Sequence, residues 1–361
     1  MKILHIISSL ETGGAQKLLS ELLPTQKKTD IEVELLVYKR VNSFLEKKIE
    51  SDGFKIHSLD VDKITSPIII YKLRHYLKKF KIVHVHLFPC LYQVAIANLG
   101  INTNLVYTEH STHNRRRNHK WLRPIEIYFY KKYKSVICIS NQTSINLNEW
   151  IKHKDSHTNP KTTTILNGID LQKINDAKPL SDYEYTDNKL ILMVSRFSEA
   201  KDQGSLIQSI KYIKDKDVIV AFAGDGKTLE SNKTLARELG VSDRCIFFGN
   251  RNDVPNIIKT SYIGIQSSHW EGFGLTAIEI MAAGKPVVAS DVDGLKQVVE
   301  GAGLIFKKGD PMDLADCINR LIEDEDLYRS TSAKCMERAA KYDISKMAAE
   351  YSNVYKDVMA R

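Results

Sequence analysis

No run of eighteen apolar residues occurs in this 361-residue chain, so no membrane-spanning helix is expected. Cysteine is sparse and odd in number: Cys90, Cys138, Cys245, Cys317 and Cys335, with no CxxC pair. Free buried thiols in a reducing cytoplasm are the simplest expectation. The GxGxxG fingerprint of a dinucleotide site and the GKS/T of a P-loop are both missing, which weighs against an NAD dehydrogenase. No short-period repeat or low-complexity segment is present. The opening Met1-Lys2-Ile3-Leu4-His5-Ile6-Ile7 has an apolar run but no small-residue cleavage site, and reads as a buried first strand.

What is present is a soluble, globular composition: 43% apolar and 27% charged residues. The length is about twice that of a usual single domain, so two domains are expected. Charge is uneven along the chain. Residues 1–180 hold 28 Lys and Arg against 16 Asp and Glu, and the remainder holds 24 against 28. The basic half could meet an anionic membrane surface, a nucleic acid or an anionic substrate.

Short apolar runs alternate with amphipathic stretches. The first half offers strands at 3–8, 32–38, 55–59, 82–86, 105–108, 136–140 and 163–166, with helical patterns such as 15–23 and 68–80. The second half offers strands at 190–194, 218–223, 245–248, 263–266, 287–289 and 303–306, with helical patterns such as 205–213, 227–239 and 274–283. Fully apolar strands separated by helices argue for parallel sheets covered on both faces. The pattern occurs twice, which predicts an α/β protein of two doubly wound, Rossmann-like domains. Residues 1–175 form the first and 189–341 the second, joined by the polar stretch 171–188. Residues 342–361 form a last helix that could return to the first domain.

Several constellations could carry chemistry. The segment Glu271-Gly272-Phe273-Gly274-Leu275-Thr276-Ala277-Ile278-Glu279 follows a strand and opens a helix near Gly274. Two glycines at such a junction let backbone N–H groups approach a phosphate or a sugar hydroxyl. Glu279, one turn in, could accept from a ribose, and Glu271 from sugar hydroxyls; a tight turn with acidic residues favourable to the helix dipole is the plainer reading. After the strand ending at Val194, Ser195-Arg196…Lys201 places two cations five apart, where a diphosphate could be clamped. Solvated surface cations are the alternative. Ala223-Gly224-Asp225-Gly226 and Phe248-Gly249-Asn250-Arg251 are further loops at strand ends. Gly13-Gly14 in the loop after the first strand would also allow close backbone approach to a ligand.

Among the histidines, His84 and His86 point the same way along one strand. No third ligand for a metal is evident, so satisfied core or site-lining groups are expected there. His110 follows the strand 105–108 and could hydrogen-bond a sugar or phosphate. The run Arg115-Arg116-Arg117-Asn118-His119-Lys120-Trp121, with Lys131, Lys132 and Lys134, reads as a solvated face or, more sharply, as a contact for lipid phosphates or an anionic acceptor. Nucleic-acid binding is weaker, since no recognised module is present.

Taken together, the chain resembles the retaining, metal-independent GT-B glycosyltransferases of group 1, the family of bacterial mannosyltransferases and sucrose-type synthases. The resemblance runs through Gly13-Gly14-Ala15-Gln16, His84-Val85-His86, Thr108-Glu109-His110, Ile137–Ser140, Asn167-Gly168-Ile169-Asp170, Ser195-Arg196…Lys201, Ala223–Gly226 and Gly249…Asp253-Val254-Pro255. It is densest over 267–288, where Glu271 and Glu279 form a Glu-x7-Glu motif.

It implies two domains facing across a cleft and a nucleotide diphosphate sugar, UDP- or GDP-linked, as co-substrate, with no metal and no other cofactor. Arg196 and Lys201 would bind the diphosphate beside Ser195 and Gly224, and Glu279 the ribose. Glu271, Gly272 and the backbone of Phe273, Gly274, Leu275 and Thr276 would hold the sugar and distal phosphate. Asn250 and Arg251 would border the base. Gly13 and Gly14 would lie against phosphates and acceptor, and His110 would face the transferred sugar. A glycan or lipid-linked acceptor, surface polysaccharide synthesis and a cytoplasmic location at the inner face of the membrane follow as expectations. Two departures stand out. Ser195 replaces a frequent glycine, and Gln16 stands where an acidic residue is common, which leaves the acceptor contacts open. A nucleotide-sugar epimerase of similar build, or a non-enzymatic binder using the basic half, are the other readings.

Overall fold

The computed structural model describes all residues except 12, 29–30, 113, 152–160, 182–187 and 361, and the side chain of Arg115. Thr12 of the first loop, Arg115 of the basic run and part of the expected interdomain join therefore lie outside the described residues. The chain divides into two compact units: Met1–Gly168 with the segment from Ile344 onward, and Ile169–Asp343.

The first unit is built on seven parallel strands: β1 (Lys2–Ile7), β2 (Glu32–Val37), β3 (Ile56–Ser58), β4 (Ile82–His86), β5 (Asn104–Glu109), β6 (Ser135–Cys138) and β7 (Lys161–Thr164), in the order β3-β2-β1-β4-β5-β6-β7. Every residue of β4 is buried, and all of β1 after Lys2. Strands covered on both faces are mostly apolar, which is why these stood out as runs, and the histidines His5, His84 and His86 are the buried exceptions within them. The helix Gly14–Lys27 runs past the sequence expectation and through Pro24. Proline has no N–H to give the carbonyl four residues back. Here that carbonyl, of Ser20, accepts from Lys48 Nζ at 3.2 Å instead.

The second unit has six parallel strands: β8 (Leu190–Val194), β9 (Ile219–Ala223), β10 (Cys245–Gly249), β11 (Ile263–Gln266), β12 (Val287–Ser290) and β13 (Leu304–Phe306), in the order β10-β9-β8-β11-β12-β13. Its core gathers Ile191, Met193, Leu206, Val220, Phe222, Ile265 and Val288, each at most 1% exposed. Both sheets thus change winding direction once, between β1 and β4 and between β8 and β11. Ligands of open α/β sheets bind beyond the carboxyl ends of the strands at such points.

Three expectations need adjustment. The first unit ends at Gly168, ahead of the polar stretch. That stretch begins with a short helix, Leu171–Asp176, capped by the Asp170 carboxylate on Lys173 N at 3.0 Å. Only Ile174 of that helix is buried, too little to leave a periodic signal. The pattern at 205–213 is a helix Gln203–Ser209 that tightens into a 3-10 turn, Ile210–Tyr212. The last helix, Ile344–Ala360, belongs to the first unit, where Tyr351 and Tyr355 are buried. The five cysteines are free; four are buried and Cys245 is half-buried.

Candidate functional site

In the second unit the loops after β8, β9 and β10 are stitched by backbone bonds. Ser195 N donates to Ala223 O at 3.0 Å, Phe197 N to Asp225 O at 2.9 Å, and Gly224 N to Gly249 O at 2.8 Å. The approach is so close that a Cβ on Gly224 would lie 2.0 Å from Ser195 O, and its φ of 141° disfavours any side chain. Gln203, 1% exposed, donates its amide to Ser195 Oγ at 3.0 Å and Arg196 O at 3.1 Å, fixing the turn from beneath. The backbone of Arg196 is thus held while its guanidinium is exposed and makes no ion pair among the described residues.

The loops after β8 and β11 are joined in the same way. Asp202 has a left-handed backbone, φ 49°, and its carboxylate caps the helix Gln203–Ser209. Ser267 Oγ donates to Asp202 O at 2.9 Å, and His269 N to Ala200 O at 2.9 Å. These bonds bring Lys201 Nζ onto Glu271 Oε2 as an ion pair, both side chains mostly shielded from solvent. Glu271 Oε1 also accepts from Gly272 N at 3.0 Å. Behind the loop, Gly294 sits so close that a Cβ there would lie 2.2 Å from Glu271 O.

Gly274, at φ 90°, caps the helix Leu275–Ala282 without a side-chain bond. The Phe273 ring is buried edge-on against Tyr342, so that residue offers its backbone alone. Leu275 and Thr276 are half-buried, and Glu279, one turn in, is 3% exposed. Asn250 is exposed beyond β10, and Arg251 is held in a fork on Asp253 at 2.8 and 2.6 Å. The sequence-derived donor residues of this unit therefore gather at the carboxyl ends of β8 to β11, around its switch point. Gln203, Ser267 and Gly294 carry no sequence signal of their own. Their partners, Ser195 and Arg196 for Gln203, Asp202 for Ser267 and Glu271 for Gly294, are brought near only by folding.

In the first unit, Gly13 caps the helix Gly14–Lys27. A Cβ on Gly14 would meet nothing within 4 Å, so the space over that helix start is open. His84 and His86 are joined by a third histidine that sequence spacing did not supply, His5 on the neighbouring β1. One ring nitrogen from each lies within 4.8 Å of the other two, close enough for a metal. Yet the nitrogens of His84 and His86 are all engaged in hydrogen bonds. His84 bonds Tyr355 OH and Thr108 Oγ1, both at 2.7 Å, and His86 bonds His5 at 2.9 Å and His110 at 3.1 Å. Burial pushes His5 and His110 down to about 4, and His84 and His86 well below the ordinary histidine range. Near neutral pH all four rings are uncharged.

Two arginines of the basic run are turned inward. Arg116 Nε pairs with the fully buried Glu126 at 2.6 Å, which also accepts from Trp150 Nε1 at 2.6 Å and Tyr92 OH at 2.9 Å. Arg117 pairs with Glu109 at 3.4 Å, and Tyr130 OH donates to the same carboxylate at 2.5 Å. Neither arginine is free for a lipid phosphate. Trp121 is 70% exposed, and Ile125, Tyr128 and Lys132 are exposed with it. No helix among the described residues is long and apolar enough to cross a membrane.

A family model described as Glycosyltransferase Family 4 matches residues 12–173, and one described as Glycosyl transferases group 1 matches residues 179–341. The UDP-Gal:alpha-D-GlcNAc-diphosphoundecaprenol alpha-1,3-galactosyltransferase of Escherichia coli is 25% identical, over 83% of this chain and 81% of that one. The GDP-mannose:cellobiosyl-diphosphopolyprenol alpha-mannosyltransferase of Komagataeibacter xylinus is 25% identical, over 100% and 94%. Among solved structures, Anabaena HepE in complex with UDP and glucose superposes with a TM-score of 0.86 at 19% identity, over 99% of this chain and 100% of that one, which shows a shared fold.

Proposed function

The chain belongs to the group 1 glycosyltransferases of GT-B fold, and on that premise we propose that it moves a hexosyl or N-acetylhexosaminyl group from a UDP- or GDP-linked donor onto a glycan or lipid-linked acceptor in surface polysaccharide synthesis. The observation that carries this reading is the gathering of Arg196, Lys201, Glu271 and the glycine-rich start of the helix Leu275–Ala282 at one switch point. Cations and uncapped backbone N–H groups there suit a diphosphate. Relatives named for diphosphate-linked polyprenol acceptors and for both UDP and GDP donors support the substrate class and leave the base open.

Arg196 and Lys201 neutralise the charge that builds on the leaving diphosphate, Ser195 and Gly224 shape the loop around it, and no metal takes part. Lys201 exchanges part of its bond to Glu271 for phosphate oxygens, which frees that carboxylate for sugar hydroxyls. Glu279 accepts from the ribose, and Asn250 and Arg251 border the base. In the first unit Gly13 and Gly14 lie against the phosphate and acceptor, and His110 accepts from a hydroxyl of the transferred sugar. Transfer retains the anomeric configuration. The acceptor oxygen bonds the anomeric carbon on the face from which the diphosphate leaves, and its proton passes to a phosphate oxygen of the leaving group. The enzyme works in the cytoplasm at the inner membrane face. Trp121, Ile125, Tyr128 and Lys132, spaced four, three and four residues apart, offer one exposed side to an anionic surface.

Incubation with UDP- and GDP-sugars and a polyprenol diphosphate glycan tests the reading. Acceptor-dependent release of UDP or GDP, with a product whose anomeric configuration matches the donor's, is expected. An epimerised nucleotide sugar without acceptor would support the epimerase instead.

A further inference from the structure

Gln26 is buried on the helix Gly14–Lys27, and its two-ended amide meets two hydrogen-bond chains. Its Oε1 faces His5 Nε2 at 3.1 Å, and its Nε2 donates to Tyr355 OH at 3.3 Å. An amide oxygen can only accept, so His5 carries its proton on Nε2 and accepts on Nδ1. The partner at that Nδ1, His86 Nε2 at 2.9 Å, must then donate. A neutral His86 accepts on Nδ1, where His110 Nε2 stands at 3.1 Å and donates in turn. His110 Nδ1 is left without a proton and makes no other hydrogen bond among the described residues.

The second chain runs in the same sense. Tyr355 accepts from Gln26 and gives its own proton to His84 Nδ1 at 2.7 Å. His84 then donates from Nε2 to Thr108 Oγ1 at 2.7 Å, and Thr108 to Tyr351 OH at 3.3 Å. No bond in either chain is asked to hold two protons or none. The opposite order, with the amide turned over, would reverse every bond and leave His110 presenting an N–H. The network therefore has two settings, and one amide selects between them.

We propose that Gln26 is a positioning residue that sets His110 in the Nε2–H tautomer, so that its Nδ1 stands as a hydrogen-bond acceptor for a hydroxyl of the transferred sugar. The inference rests on the reading of His110 given above, which brings a sugar hydroxyl to that ring. The ordering itself depends only on the first unit. It holds while the four rings are uncharged, and burial keeps them so near neutral pH. The titratable groups facing these rings are the histidines themselves and Tyr351 and Tyr355, whose hydroxyls burial raises; no carboxylate or ammonium contributes to the lowering of any of the four.

Nitrogen-15 NMR of histidine-labelled protein at pH 7 tests the proposal, since the tautomers and the imidazolium differ in their ring-nitrogen signals. With His110 assigned by its loss in His110→Ala, the full-length wild type should show one proton on Nε2 of His5, His84, His86 and His110. In Gln26→Met, equal in length but lacking the amide, His110 should show mixed tautomers. The turnover number with UDP-glucose, UDP-galactose, UDP-N-acetylglucosamine or GDP-mannose, whichever is a substrate, should fall about two- to tenfold, the worth of one hydrogen bond. The thermal shift given by UDP or GDP should not change. A wild-type His110 protonated on Nδ1, or a Gln26→Met protein with His110 still wholly Nε2–H, overturns the proposal whatever the turnover. Unchanged turnover in His110→Ala overturns instead the sugar contact on which it rests.

Discussion

Arg196 and Lys201 carry equal charge five residues apart, yet they face different costs. Arg196 is exposed and makes no ion pair among the described residues, so its removal should leave stability within about 0.5 kcal/mol of wild type. Arg196→Ala should still lower kcat/KM about 100- to 1000-fold, as loss of one preorganised charge-stabilising group does. Lys201 is bonded to a half-buried carboxylate, so Lys201→Ala removes the cation paired with Glu271. A double-mutant cycle of Lys201→Ala with Glu271→Gln, read by denaturant unfolding, should show a coupling of roughly 1 kcal/mol or more. Additive effects would mean that the pair contributes nothing to the resting site. Residue types on loops made this clamp legible in the sequence. The pairing of Lys201 with Glu271 was not, because seventy positions separate them and only the placing of β11 beside β8 in the sheet closes that gap.

At the scale of elements, strands such as β6, β9, β11 and β12 were legible because they are buried along their whole length and largely apolar, whereas β7 is polar and at most half-buried. Helix ends were less so: Leu171–Asp176 has one buried residue, and Gly14–Lys27 continues through Pro24, with Lys48 serving the orphaned carbonyl. The histidine cluster shows the same limit. His84 and His86 were read as a pair, and the third ring came from β1, whose register places His5 beside His84. The close backbone approach at Gly294 left no trace in the sequence either. Gly294 belongs to the helix Asp293–Val299 and backs the carbonyl of Glu271. Gly294→Ala must push the Glu271 loop, and donor turnover should fall at least about tenfold while the circular dichroism of the fold is kept. Unchanged turnover would show that the loop can yield without moving the carboxylate. Gly224→Ala is harsher, with a Cβ on Ser195 O and φ at 141°, and should cost about 2 kcal/mol or more of the second unit's stability by thermal unfolding.

For the whole molecule, the charge imbalance between the halves was visible in the sequence, but the inward turn of Arg116 and Arg117 was not, because buried Glu126 and Glu109 claim them. The neutral histidines make the first unit sensitive to acid. Burial holds His5 and His110 at about 4 and His84 and His86 well below the ordinary histidine range, against about 6.5 in an unfolded chain. The unfolded chain therefore takes up protons first. Stability is full above about pH 6.5 and falls as pH drops from there toward 4, by roughly 3 kcal/mol for His5 alone. Trp121 and Trp150 lie in the first unit and Trp270 in the second, so fluorescence of Trp270→Phe reports on the first unit. Its melting temperature should drop between pH 6.5 and 5; a flat profile would mean that the rings charge without unfolding.

The most direct test of the donor assignment is a thermal shift of wild type and Arg196→Ala against UDP, GDP and their sugars. A nucleotide held by the second unit stabilises the wild type by about 2.7 kcal/mol at one hundred times its Kd. One base should raise the wild-type melting temperature clearly, with the shift much reduced in Arg196→Ala. No shift with any nucleotide, or an equal shift in both proteins, would contradict a donor diphosphate held at the switch point between β8 and β11.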